Sequence, residues 1–159
     1  MPYVVDGNNV MGQGPETLSR DLPHARRRLI HELVRFVSAH KVKVKVVFDG
    51  HPDEQFPEGC VFKGVQVLYA RVGGDADGRI KELVNKSSHK RDMIMVSSDR
   101  ALASFAGRQG ARTLASHTFR QMLKEARDRM SPEKAGKGDP VDVDDWLEFF
   151  GNPQNAPSS

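Results

Sequence analysis

Tyr3-Val4-Val5-Asp6 is the stretch on which the fold turns. An apolar run ends on an aspartate, and the pattern recurs. Val46-Val47-Phe48 ends on Asp49, Val67-Leu68-Tyr69-Ala70 leads to Asp75 and Asp77, and Met93-Ile94-Met95-Val96 leads to Asp99. Short continuous apolar runs predict strands buried on both faces, as in a parallel sheet. In an open α/β sheet the ligand crevice lies beyond the carboxyl ends of the strands. Carboxylates leaving several strands there converge, and packed like charges raise one another's pKa until protons or cations join them. A bound Mg2+ or Mn2+ ion is the simplest partner.

The segments between these runs read as helices and loops. Gly7, Gly12, Gly14 and Pro15 predict a loop after the first strand. A helix is expected from about Asp21 to Ala39, with Asp21 as cap and Pro23 in its first turn. It would bury Leu29, Ile30, Leu33, Val34, Phe36 and Val37. Strands are expected at 43–48, 65–70, 93–97 and 111–114, with a polar loop over 50–60. Helices follow from Asp77 to Lys86, from Asp99 towards Gly110, and from Ser116 through Phe119, Met122, Leu123 and Ala126. Strands alternating with helices predict right-handed crossovers and one parallel sheet.

Residues 131–140 read as a Pro, Gly and Lys linker, 142–150 as a short acidic segment carrying Trp146, Leu147, Phe149 and Phe150, and 151–159 as a disordered end. The expected organisation is one domain over 1–130 and a linker with a short C-terminal segment over 131–159.

Composition narrows the class. The chain has 159 residues, 38% hydrophobic and 28% charged, which suits one soluble domain with its own core. One cysteine, Cys60, forbids an internal disulfide and fits a reducing cytoplasm. No basic leader and no membrane-length apolar run are seen, so a cytoplasmic protein without membrane contact is expected. The net charge is +3. Arg20, Arg26, Arg27, Arg28, Arg35, Lys41, Lys43 and Lys45 cluster against only Asp21 and Glu32. Contacts to phosphates and a plain solvated face explain that cluster equally well.

Asp6 is the first candidate metal ligand, because it ends a strand and Gly7 lets the chain turn beside it. Asn9 supplies an amide that can orient the acid or touch a phosphate. Asp77 and Asp99 stand at helix starts, where the dipole favours an ionised carboxylate. Either alone reads as an ordinary N-cap. Together with Asp6 and Asp49, all at strand exits, they read as a catalytic cluster. Asp75 reads either as a further member or as a solvated neighbour of Asp77. Other motifs fail. Asp75-Ala76-Asp77-Gly78 lacks the later ligands of a calcium loop, and Val65 stands where a P-loop needs lysine. His51 and His117 fit surface positions better than the site, and Trp146 with Phe149 fits packing better than base stacking.

Val5-Asp6-Gly7-Asn8-Asn9-Val10, Val47-Phe48-Asp49-Gly50, Ala76-Asp77-Gly78-Arg79-Ile80 and Val96-Ser97-Ser98-Asp99-Arg100 resemble, in order, the motifs of the NYN domain, a branch of the PIN-like ribonucleases. Asp145-Trp146-Leu147-Glu148-Phe149-Phe150-Gly151 resembles the short C-terminal motif of the YacP-like group, whose known member is a ribosome-associated endoribonuclease. The resemblance implies a three-layer α/β fold with a mostly parallel sheet in strand order 3-2-1-4-5. It implies magnesium- or manganese-dependent cleavage of RNA, leaving a 5′-phosphate and a 3′-hydroxyl. Asp6, Asp77 and Asp99 become the metal ligands, Asp49 an acidic partner and Asn9 the supporting amide. Asn8 departs from the tyrosine often found there, and residues 50–64 are shorter than in that group.

The expected activity is a metal-dependent endoribonuclease acting on RNA, with ribosome-associated or messenger RNA as candidate substrates. Arg26, Arg27, Arg79 and Arg100 are expected to guide the backbone. One alternative is a non-catalytic RNA- or ribosome-binding module of the same fold, yet a pure binder gains nothing from a negative pocket facing phosphates. A phosphatase of the aspartyl-phosphate type needs a second aspartate where Asn8 stands.

Overall fold

In the computed structural model, which describes residues 2–12 and 22–129, the opening run forms β1 (Pro2–Asp6) in the middle of the sheet. β1 pairs in parallel with β2 (Lys43–Phe48) on one side and with β5 (Ile94–Val96) on the other. β4 (Val65–Tyr69) extends the sheet beyond β2, and β6 (Arg112–Leu114) extends it beyond β5, both in parallel. These five strands keep the expected order. A sixth was not foreseen: β3 (Val61–Phe62) runs antiparallel along β4, giving the order β3-β4-β2-β1-β5-β6. Lys63 and Gly64, both at positive φ, make its two-residue turn.

Helices cover both faces. α1 (Gly7–Met11) and α2 (Leu22–His40) pack on one, and α3 (Ala76–Lys86) and α4 (Arg100–Arg108) pack together on the other. Alternation along the strands sorts their side chains. Val4, Val47, Leu68 and Met95 join Ala76, Ile80 and Val84 of α3 and Leu102 and Ala106 of α4 in one core. Tyr3 turns the other way, its ring 5.2 Å from Phe36 of α2 and 5.9 Å from Phe119. Each fully buried Val, Leu or Phe contributes about 1.5–3 kcal/mol.

Phe119 belongs to α5 (Ser116–Arg129), within which the chain divides into two compact units, Met1–Gln121 and Met122–Ser159. Arg120 Nη1 meets Glu32 Oε1 at 2.8 Å, a buried pair linking α5 to α2. The cap expected at Asp21, the linker at 131–140, the Trp146 segment and the chain end lie outside the described residues. No helix among the described residues is long and apolar enough to cross a membrane.

The loop expected from Gly7 onward is instead the one-and-a-half-turn helix α1, which buries Val10 and Met11. Gly7 is required for closeness rather than for a turn. A Cβ there would lie 2.5 Å from Cδ1 and Cε1 of the Phe48 ring and 3.0 Å from the Val47 carbonyl oxygen. Gly7→Ala is therefore expected to lower stability by about 1–3 kcal/mol, the cost of overpacking a core. Phe48→Leu in the same chain should recover part of the loss. Thermal melts of the three proteins check this, and an unchanged melting temperature in Gly7→Ala would show that the ring yields freely.

Candidate active site at the carboxyl ends of β1, β2 and β5

Asp6 ends β1 on the α3–α4 face, in the same row as the core residue Val4. Its Oδ2 accepts a hydrogen bond from Ser97 Oγ at 3.0 Å, and the Asn9 backbone also donates to the carboxylate. Burial nevertheless raises its pKa to about 6, and the negative charges of Asp49 and Asp77 push in the same direction. Asp6, Asp49 and Asp77 thus share one electrostatic environment. Ser97, 3% exposed, joins Asp99 to it, because Ser97 Oγ also accepts the Asp99 N–H at 3.1 Å.

The four acids are held differently. Asp49 Oδ1 accepts the Ala76 N–H at 2.7 Å, so this carboxylate fixes the first residue of α3. Asp75, not Asp77, caps that helix, its Oδ1 accepting the Gly78 N–H at 2.8 Å. Asp77 stands two residues after that cap, within the first turn. Its Oδ1 is buried with no hydrogen-bond partner, and its Oδ2 lies 3.4 Å from Lys81 Nζ. Asp99 is the N-cap of α4, its Oδ1 accepting the Leu102 N–H at 3.1 Å.

Two asparagines tie the strand exits together. Asn8 Oδ1 accepts the Asp49 N–H at 2.9 Å, bridging β1 to β2. Asn9 Oδ1 accepts the Ser98 N–H at 2.9 Å and the Ser116 hydroxyl, bridging β1 to the β5 exit and the start of α5. Asn9 is a brace within the site in this arrangement. The Ser98 hydroxyl accepts the Ser116 N–H at 2.9 Å, so Ser98 and Ser116 support the same junction.

The four arginines expected at the RNA surface separate. Arg26 is 5% exposed and donates to the backbone carbonyls of Asp49 and His51 (the latter at 2.8 Å). Its guanidinium carbon sits 5.5 Å from the Phe48 ring centroid and 5.3 Å from that of Tyr69. It is thus a buried strut under the Asp49 loop and does not face solvent. Gly50 bends around it at φ +88°, where a Cβ would come within 2.9 Å of Arg26 Nη2. Arg79, its side chain 11% exposed, is taken up by Glu58 at 3.0 Å and by the Tyr69 carbonyl at 2.8 Å. Arg27 pairs with Asp53 at 3.0 Å. Arg100 is exposed at the start of α4. His51 and His117 are exposed, and burial raises the pKa of the Cys60 thiol, which keeps it protonated near neutral pH.

Sequence reading missed the roles of Ser97 and Lys81, and it took Arg26 for an RNA contact instead of a buried strut. For Ser97 and Arg26 the signal is burial itself, invisible before folding. Lys81 carried a readable signal, its i,i+4 spacing from Asp77.

Among the described residues, no three His, Cys, Asp or Glu side chains stand close enough to form a ready-made cation cage. The donors still suit a hard ion. They are all carboxylates, Asp77 Oδ1 is buried and unpartnered, and Asp6 is burdened by neighbouring charge. Magnesium takes few direct carboxylates and keeps several waters, so it does not require a closed cage.

The sequence profile of the YacP-like NYN domain matches residues 3–142. The chain belongs to the YacP-like NYN family. That family has a PIN-like nuclease fold. Rae1 (YacP) from Bacillus subtilis is similar in structure, with TM-score 0.63 and 20% identity, over 98% of this chain and 95% of that one. The crystal structure of a tryptophan-to-leucine mutant of the same protein gives TM-score 0.64 and 23% identity over 82% and 78% of the two chains. These likenesses show a shared fold. No curated protein matches the chain. In this YacP-like chain Asn8 serves as a clamp between two strand exits.

Because the folded state raises the Asp6 pKa above its ordinary value, it holds a proton that the unfolded chain releases. The associated stability is full below about pH 4 and is lost as pH rises through about 6. In chelator, Asp6→Asn should therefore be more stable than the parent at pH 7.5, by up to about 3 kcal/mol, and by less at pH 5. Denaturant melts at both values test the sign. A parent protein more stable than the variant at pH 7.5 would contradict it.

Proposed function

We propose that this YacP-like protein is a metal-dependent endoribonuclease that hydrolyses RNA phosphodiester bonds. The observation that carries the reading is the buried Asp6 carboxylate under the charge of Asp49 and Asp77, with the orphaned Asp77 Oδ1 beside it. Such a pocket is costly to the free protein and is relieved by a cation, which is how a site designed around an ion differs from a set of helix caps. Family membership, in a PIN-like nuclease fold, supports phosphodiester chemistry and RNA as substrate.

Asp6 and Asp77 would hold the ion, with Asp99 adjoining through Ser97. A bound magnesium or manganese ion would supply Lewis-acid polarisation of the phosphate and a lowered pKa for the attacking water. Everything else falls to the chain. Ser97 and the Asn9 backbone orient Asp6. Asp49 anchors the start of α3 and so fixes where Asp77 stands. Arg26 and Asn8 hold Asp49 in turn. Arg100, exposed where α4 begins beside Asp99, would meet the backbone of an incoming strand. Water attacks phosphorus in line, the P–O3′ bond breaks, and the departing 3′-oxygen takes a proton. The products are a 3′-hydroxyl and a 5′-phosphate. Ribosome-associated or messenger RNA is the substrate class proposed, in the cytoplasm.

Labelled single-stranded RNA incubated with the protein and manganese should be cut internally, and chelator should stop it. Asp6→Asn and Asp77→Asn should each slow cleavage on the order of 10²-fold or more, the scale seen when one electrostatic element of a site is removed. Circular dichroism should show both variants folded. Full activity in chelator, or in folded Asp6→Asn, would overturn the proposal.

A further inference from the structure

The pocket raises a question of charge. A cluster of carboxylates repels RNA phosphate, and three of the four arginines expected to counter this are engaged elsewhere, Arg26 in the interior, Arg79 with Glu58 and the Tyr69 carbonyl, and Arg27 with Asp53. Among the described residues, Lys81 is the one cation that ion-pairs with any of Asp6, Asp49, Asp77 and Asp99.

An aspartate and a lysine four apart on a helix are common, and such a pair contributes little by itself. Two features set this pair apart. The first is the ring beneath it. Lys81 Nζ lies 5.7 Å from the centroid of Phe105 on α4, so two helices rather than one define where the ammonium sits. The second is its acid. Asp77 is only partly exposed, at 35% of its side chain: its Oδ1 is buried and unsatisfied, while its Oδ2 lies 3.4 Å from the lysine. With 41% of its side chain exposed, Lys81 still reaches solvent. A flexible stem with three rotatable donors suits an ammonium that changes partners.

We propose that Lys81 is a substrate-contacting residue of this site, neutralising Asp77 in the free protein and donating to a non-bridging phosphate oxygen of bound RNA. The inference rests on the ribonuclease reading above for its substrate. Its contribution is electrostatic: the ammonium offsets phosphate charge at the mouth of an acidic pocket and fixes one phosphate relative to Asp77. No covalent step involves it.

The test separates binding from cleavage. Fluorescein-labelled single-stranded RNA is titrated with the full chain in chelator across a series of potassium chloride concentrations, using the parent, Lys81→Met and Lys81→Arg. Loss of one single-strand phosphate contact should reduce the steepness of log affinity against log salt by about 0.7 in Lys81→Met. Lys81→Arg should keep the parent slope. With manganese, Lys81→Met should lower kcat on the order of 10²-fold, and Lys81→Arg should restore much of it. A purely helical ion pair would leave slope and kcat at parent values in Lys81→Met, with at most a small drop in melting temperature. That result overturns the inference while leaving cleavage by the parent, and so the nuclease reading, intact. A reduced slope in Lys81→Met, alongside a parent that never cuts RNA, would uphold the lysine contact and sink the nuclease reading instead.

Discussion

Parallel pairing of β1 with both its neighbours is the constraint from which the site follows. Asp6 lies beside Val47 in the register of β1 and β2, and Val5 lies beside Val96. The chain leaving each strand must therefore do so at the same end of the sheet. Three exits that are far apart in sequence emerge within hydrogen-bond reach of one another, and short polar side chains close the gaps. Asn8 takes the Asp49 N–H, Asn9 takes the Ser98 N–H, and Ser97 spans Asp6 and the Asp99 N–H. Remove the parallel register and none of these bonds has a partner.

Electrostatics and packing are coupled at this edge. Asp49 is a negative neighbour of Asp6, yet its Oδ1 holds the first amide of α3. Asp99 adjoins the pocket and caps α4 at once. Charge that would be expensive as mere acid accumulation is partly repaid by ending helices correctly. Arg26 works the same seam from beneath. Its guanidinium is held by two aromatic rings and supports the loop that carries Asp49. The buried charge thus reaches Asp49 through its backbone carbonyl.

Much of this was legible before any coordinates. The runs at 3–5, 43–48, 65–70 and 93–97 are dense enough in apolar residues to announce buried strands, the short strand expected at 111–114 is present as β6 without such density, and the strand order of the resemblance is met by five of the six. What escaped reading was set by proximity instead of pattern. α1 is five residues long and starts on a glycine, so no periodicity marks it; its first residue lies directly against the Phe48 ring, a contact no local pattern shows. β3 has two residues and turns through a lysine at positive φ, an atypical turn residue. Asp75 and Asp77 are indistinguishable in sequence as cap candidates, and only the start of α3 separates them. Arg26 was read as a surface cation because a buried arginine leaves no mark in composition; its partners are backbone carbonyls 23 and 25 residues away.

The two borders of the sheet carry a consequence for the protein's life in a crowded solution. A long open strand is a template on which another chain can build. Here the border next to β4 is occupied by the two residues of β3, followed at once by a tight reversal, and the opposite border is the three-residue β6 with Arg112 and Thr113 exposed. Among the described residues, neither offers an extended row of free amides and carbonyls, so a sheet whose central strands are almost wholly apolar is shielded from stacking edge to edge with its own copies.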